Sequence, residues 1–309
     1  MKFSVFTAST PEWSPEEAAR ILAAQGWDGI EWRITDQQQT ETPGFWAGNR
    51  ATWPLTGLED ALPEIARITR ESGLEFSGLG GYARCDDHDG VDRMLAATAE
   101  LGARQVRVTM PRSDTGDYPE LFAAARRDLE RVAARVQELG VKALVELHHE
   151  TITPSASAAR RLLEGLDPRH VGVIHDLGNL VIEGQERTLS ALQLLGPYLA
   201  HIHVKNVAWV AGEPEEDGTV RWRSEWAPLR TGTGDVEAYF RALHEFGYDG
   251  WVTCEDFSTE LPLEQRTADN LAYLRAVAQR TGAAQRIAAE ERMGAEQPAG
   301  AERARAAAS

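Results

Sequence analysis

Only two cysteines occur in the 309 residues, Cys85 and Cys254, and they form neither a CxxC nor a zinc-ribbon spacing. That scarcity argues against a structural disulfide and points to a reducing cytoplasm. No apolar run approaches the ~20 residues of a membrane-spanning helix. The opening Met1-Lys-Phe-Ser-Val-Phe reads as a strand, without the long apolar core of a signal peptide. Basic residues are few: 32 Lys and Arg stand against 48 Asp and Glu, a formal net charge of −16. Such a field repels phosphate backbones and anionic lipid, so nucleic acid and membrane surfaces are poor partners. No Gly-x-Gly-x-x-Gly follows the first strand, which weakens a Rossmann reading.

What is present is alternation. With 42% hydrophobic residues the chain can build one large core. Strand patterns at 2–7, 26–32, 74–79, 104–109, 141–147, 171–176, 199–204 and 250–255 alternate with helical patterns at 58–72, 91–101, 119–139, 155–164, 187–195, 235–246 and 262–280. The first helix opens at Ser14-Pro15-Glu16-Glu17, a cap followed by Pro. Strands separated by helices pair in parallel through right-handed crossovers, and eight such units predict a single-domain (β/α)8 TIM barrel over 1–280. Two stretches, 33–57 and 206–233, are too long for ordinary connections and read as rim loops. The Ala-, Glu- and Arg-rich tail, 281–309, reads as a frayed helix or a disordered extension.

Four strands end in a polar group: Glu146, Asp176, His203 and Glu255. A buried strand cannot end so without a polar pocket or an ion to replace lost water. Four in one barrel predict a single metal site at the carboxyl rim. Three oxygens and one nitrogen suit Mn²⁺ first, with Co²⁺, Mg²⁺ or Zn²⁺ as alternatives. Around them, His148 shares the face of Glu146 by strand alternation, and Lys205 lies two residues past His203. Arg107, at the end of strand four, reads as a substrate or carboxylate clamp. Glu31, read as the end of strand two, is placed to hold Arg107 or a sugar hydroxyl. His149 and Glu150 read as loop, and His175 as a core histidine. The loop tryptophans Trp46, Trp53, Trp209, Trp222 and Trp226 either stack on sugar faces or anchor the loops. Thr231-Gly-Thr-Gly234-Asp235 imitates a phosphate cradle but reads more simply as a turn with an Asp helix cap.

Several segments carry a resemblance: Trp27-Asp-Gly-Ile-Glu31-Trp-Arg33, Val145-Glu146-Leu-His148, Asp176-Leu-Gly-Asn179 with Glu183-Gly184, His201-Ile-His203-Val-Lys205, and Gly247-Tyr-Asp-Gly-Trp-Val-Thr-Cys-Glu255. Over about residues 1–280 the chain resembles the xylose-isomerase-like sugar isomerase/epimerase superfamily, with its ketose epimerases and its inosose and dehydroshikimate dehydratases. The resemblance implies metal ligation by Glu146, Asp176, His203 (rather than His201) and Glu255. It also implies acid–base roles for Glu146 and Glu255, with Lys205 and His148 as further catalytic candidates. Arg107, Glu31, Asn179 and Trp209 are the candidate substrate contacts. The expected reaction is proton abstraction next to a carbonyl of a small sugar or polyol, through a metal-stabilised enediolate. A dehydratase, a lyase or C-glycoside-cleaving subunit, and a catalytically silent binding barrel are the alternatives. Ketose 3-epimerases carry a substrate-binding Glu and a His where this chain has Ile152 and Asn179, which separates it from that substrate class. A homo-oligomer or a partner subunit stays open.

Overall fold

The computed structural model describes residues 1–184 and 186–283. β1 (Lys2–Phe6) leads to α1 (Pro15–Gln25) and β2 (Gly29–Ile34). A two-residue β3 (Thr52–Trp53) precedes α2 (Leu58–Ser72), β4 (Glu75–Gly81), α3 (His88–Leu101) and β5 (Gln105–Arg107). Then come α4 (Tyr118–Leu139), β6 (Lys142–Glu146), α5 (Ala156–Leu163), β7 (Val171–Asp176), α6 (Leu177–Glu183) and α7 (Thr188–Leu195). β8 (Leu199–Val204), β9 (Asn206–Ala211), β10 (Trp222–Ala227), α8 (Val236–Phe246), β11 (Trp251–Cys254) and α9 (Leu263–Arg280) complete the series.

Local chemistry sets these boundaries. Ser14 Oγ accepts from the Glu17 backbone N–H at 3.2 Å, and Glu17 Oε2 accepts from the Ser14 N–H at 2.8 Å, so α1 begins in a reciprocal capping box. It stops at Gly26, whose φ of 89° is a left-handed conformation that costs a glycine little. The strands bury both faces, as β2 does along its whole length, because helices cover the outside and side chains fill the inside. Eight parallel strands run in the order β1-β11-β8-β7-β6-β5-β4-β2, and pairing of β1 with β2 closes the ring. This is the expected (β/α)8 barrel. No helix among the described residues is long and apolar enough to cross a membrane.

Two elements differ from the sequence reading. The stretch 206–233 is not an irregular loop throughout: β9 and β10 form an antiparallel ribbon in which Trp209 faces Ser224 and Val207 faces Trp226. Helix α6 follows β7 with no intervening loop, because the Asp176 carboxylate at the strand end also caps the helix by accepting from the Asn179 N–H at 2.9 Å. Within 33–57, β3 pairs briefly with β2. The tail expected over 281–309 lies outside the described residues beyond Ala283.

Candidate metal centre

Strand register gathers the four rim residues. Asp176 and His203 are direct neighbours across β7 and β8, and His203 sits opposite Thr253, two residues before Glu255. Glu146 ends the adjacent β6. All four are at most 5% exposed, and one ligand atom from each lies within 4.8 Å of the others. His203 Nδ1 stands 3.4 Å from Glu146 Oε1, 3.7 Å from Glu255 Oε2 and 3.9 Å from Asp176 Oδ2.

The layer beneath fixes the imidazoles. Side chains two apart on a strand share a face, so His201 points inward below His203. Gln105 Nε2 donates to His201 Nδ1 at 2.8 Å, which leaves the His201 proton on Nε2. Glu31 Oε2 then accepts from His201 Nε2 at 2.9 Å and from His203 Nε2 at 3.2 Å. A proton on His203 Nε2 turns the Nδ1 lone pair toward three carboxylates. That nitrogen is buried and has no hydrogen-bond partner among the described residues. An orphaned lone pair facing carboxylate oxygens is the arrangement a cation resolves. Glu31, His201 and His203 form a second group with ligand spacing, sharing His203 with the first.

Charge balance points the same way. Glu31, Glu146, Asp176 and Glu255 are buried beside the cationic Arg107 and Lys205. With both imidazoles neutral, two negative charges remain, the complement of one divalent ion. Without the ion the field falls on the ionisable groups themselves. Burial disfavours a charged His203, but Glu31, then Glu146 and Glu255, outweigh it and raise its pKa well above the usual range. Burial, with help from Glu146 and Glu255 and against the pull of Lys205, pushes Asp176 up to about 7. Glu146 goes the other way: burial opposes its charge, yet Arg107 and the neighbouring cationic groups hold it well below the carboxylate range.

The partners of the two glutamates are unequal. Arg107 Nη1 donates to Glu146 Oε2 at 2.6 Å, and Asn179 Nδ2 donates to Oε1 at 3.2 Å. Glu255 receives a side-chain hydrogen bond from Lys205 alone among the described residues. Lys205 Nζ also donates to Asp176 Oδ2 at 2.5 Å, leaving one of its three protons uncommitted. The Arg107 guanidinium is wedged 4.4 Å from the Tyr82 ring and 5.3 Å from the Phe6 ring, its Nη2 buried and unpartnered among the described residues.

Above this floor opens a cavity of about 580 Å³. Glu146, Glu255, Lys205, Asn179, Arg107 and His148 all reach it, with Trp46, Tyr82, Trp226 and Phe257 as walls. Asp176 and His203 lie below the lining. The His148 Nδ1 is engaged by the His149 carbonyl at 2.8 Å, and burial pushes its pKa down. Two expectations need correction. Glu31 lies inside β2 rather than at its end, and it binds the two imidazoles instead of Arg107; it does not line the cavity. Trp209 is likewise absent from the cavity wall: it is 39% exposed and its indole N–H donates to the Val181 carbonyl at 3.1 Å, tying the ribbon to α6. Trp46 and Trp226 take the wall position instead. His175 is a core histidine, with Nδ1 2.7 Å from the Tyr239 hydroxyl. Several cavity residues escaped the sequence reading, among them the walls Tyr82 and Phe257, and His149 was read there only as loop. His149 Nδ1 meets Asn179 Oδ1 at 2.8 Å, and Glu150, with φ of 62°, makes the sharp turn beside it. For His149, the His148-His149 doublet just beyond β6 was the available signal.

Comparison with known proteins follows the geometry. The family described as xylose isomerase-like TIM barrel matches residues 19–277. Similar chains include 3-dehydro-D-guloside 4-epimerase of Escherichia coli K12, 25% identical over 71% of this chain and 86% of that one. Ketose 3-epimerase of Arthrobacter globiformis is 25% identical over 76% and 80%. Inosose dehydratase of Lacticaseibacillus casei is 26% identical, over 41% of this chain and 44% of its own length. Among solved structures, E. coli 3-keto-D-glucoside 4-epimerase superposes with a TM-score of 0.67 at 18% identity, covering 89% of this chain and 99% of that one. A Mycobacterium smegmatis xylose isomerase-like TIM barrel protein in complex with magnesium gives 0.67 at 18%, covering 91% and 97%.

Proposed function

This chain belongs to the xylose isomerase-like TIM barrel family, and from that premise we propose that it is a divalent-metal-dependent isomerase or epimerase of a keto sugar or polyol. The observation that carries the reading is the orphaned His203 Nδ1 facing three buried carboxylates at the floor of a substrate-sized cavity. Glu146, Asp176, His203 and Glu255 would hold the ion, with Mn²⁺ first among hard and borderline candidates. When bound, such an ion polarises a carbonyl and the neighbouring hydroxyl and so acidifies the carbon-bound proton between them.

The chain's own groups then divide the work. Glu255, held by a single side-chain donor, is the less restrained carboxylate and takes the proton. Glu146, restrained by Arg107 and Asn179, faces the same cavity and returns a proton from another side. Burial opposes the charge of Lys205, but Asp176, Glu255 and Glu146 outweigh it and push its pKa above the lysine range, so it stays an ammonium. It orients Asp176 and Glu255 and offers its remaining N–H to a substrate oxygen. Arg107 Nη2 is a second free donor for negative charge developing there. The aromatic walls keep water from the exposed carbanion.

Incubation of metal-loaded protein with keto sugars and inososes in deuterated water tests this reading. Wild type should exchange one carbon-bound proton, and Glu255→Gln should lower that rate by about 10²–10⁴-fold. Because Glu255 is also a ligand, metal content is measured alongside. Exchange by Glu255→Gln within about tenfold of wild type would sink the assignment. A dehydratase is the second reading, favoured by the uncommitted Lys205 proton beside Glu255 and by the partial likeness to inosose dehydratases. Release of water, with an enone or dione as product, would select it.

A further inference from the structure

A second cavity, of about 560 Å³, adjoins the first. His149, Trp226 and Phe257 line both, so these residues stand between them. Phe257 is the centre of the partition: its ring lies 5.1 Å from Trp226, 5.1 Å from Phe45 and 4.8 Å from Trp46. The far wall is built from β10 and the segment after β11.

The two cavities differ in chemistry. The first is floored by charged groups and walled by aromatics. The second is lined by the hydroxylic residues Ser224, Ser258 and Thr259 together with Glu225. Those three hydroxyls have no hydrogen-bond partner among the described residues, while Arg223 holds one Glu225 oxygen at 2.8 Å. No Lys or Arg lines this cavity among the described residues, so it is unsuited to a phosphate or carboxylate. Free hydroxyls beside aromatic faces suit a sugar, whose CH surface stacks while its hydroxyls exchange hydrogen bonds. Each cavity is of ordinary size for a small ligand, about 300–1,000 Å³. A monosaccharide held over the carboxylate floor would leave the second one unused.

We propose that the second cavity is the subsite for the group attached to the reacting sugar, and that this group is itself a hydroxylated ring. The substrate is then a keto-disaccharide or polyol glycoside rather than a free keto-monosaccharide. Only the placement of the reacting ring in the first cavity rests on the proposed reaction.

The test uses the full chain loaded with Mn²⁺. Solvent-deuterium exchange is compared between methyl 3-ketoglucosides, 4-nitrophenyl 3-ketoglucosides and 3-keto-disaccharides, each in α- and β-linked form. Calorimetric binding of the unoxidised disaccharides and methyl glucosides runs in parallel. A two-ring substrate should exceed the methyl glycoside by about tenfold in kcat/KM, and the unoxidised pair should differ in affinity in the same direction. Ser224→Trp and, independently, Thr259→Trp should bring both ratios toward one by filling the cavity. The wild-type ratios stand even if a variant fails to fold. Disaccharide binding that is lost in the Trp variants, with no exchange on any substrate, would keep the subsite and reject the reaction. Equal handling of one-ring and two-ring ligands, or a preference for the nitrophenyl group over a sugar ring, would overturn the proposal.

Discussion

The two nitrogens of His203 have opposite surroundings, and Glu31 decides which of them carries the proton. Glu31 Oε2 accepts from Nε2 at 3.2 Å, so Nδ1 presents its lone pair to the carboxylates. Burial opposes charge on Glu31, but His203 and His201 outweigh it and hold its pKa well below the carboxylate range. Replacing Glu31 by Gln keeps an oxygen in place and removes the charge. Mn²⁺ affinity should fall about 10–100-fold, the usual effect of losing a carboxylate behind a ligating imidazole, while the circular dichroism stays native. Calorimetric titration measures it, and an affinity within about threefold of wild type would show that Glu31 does not orient the ring. The quartet itself was legible because each member lies at, or within one residue of, the end of a hydrophobic strand. The partner of Glu31 was not, since contacts across a barrel depend on closure and shear rather than on sequence spacing. Trp209 was misread for a related reason: composition places an aromatic in a loop but does not say which way the ribbon turns.

At the scale of elements, the barrel strands and most helices were legible because buried parallel strands and amphipathic helices have distinct periods, and glycines mark the helix ends. The β9–β10 ribbon was hidden by the charged stretch 213–217 between its strands. Helix α6 was hidden because its cap, Asp176, is also the last residue of β7. Asn206 anchors the ribbon: Nδ2 donates to the Leu229 and Gly234 carbonyls, each at 2.9 Å, and Oδ1 accepts from the Val207 and Gly234 amides, each at 2.9 Å. This explains the sequence Thr231-Gly-Thr-Gly234. A Cβ at Gly232 would lie 2.2 Å from Asn206 Cγ, so the glycine serves close packing, and Asp235 caps α8 as the plainer reading held. Asn206→Ala leaves several buried backbone groups unpaired and should destabilise the protein by about 2–4 kcal/mol, read by urea unfolding. A loss under about 0.5 kcal/mol would mean that water replaces the amide.

At the scale of the whole molecule, the fold carries two cysteines that its chemistry does not use. Cys85 and Cys254 are both buried, and burial foremost pushes the Cys85 thiol up to about 12. Native protein at mild alkaline pH should therefore react with a thiol reagent far more slowly than unfolded protein, and rapid native labelling of either residue would contradict the described packing. The larger consequence concerns charge. A chain of net charge −16 concentrates unpaired negative charge at one buried point, where four carboxylates outnumber two cationic side chains. Such a cluster opposes folding until a cation enters, so ion binding and stability are linked. At about a hundredfold excess over Kd, Mn²⁺ should add about 2.7 kcal/mol. For a domain of this size that is a rise in melting temperature of roughly 5 °C, reversed by a chelator. Asp176→Asn provides the control. Burial already disfavours the charge on Asp176, so its replacement should cost the ion-free protein little while removing most of the Mn²⁺-dependent rise. Differential scanning fluorimetry of the two proteins across a metal titration decides it. A wild-type melting temperature indifferent to Mn²⁺, Co²⁺, Mg²⁺ and Zn²⁺ alike would leave Arg107, Lys205 and a protonated His203 as the counter-charges, and would reduce the quartet to a buried ionic network.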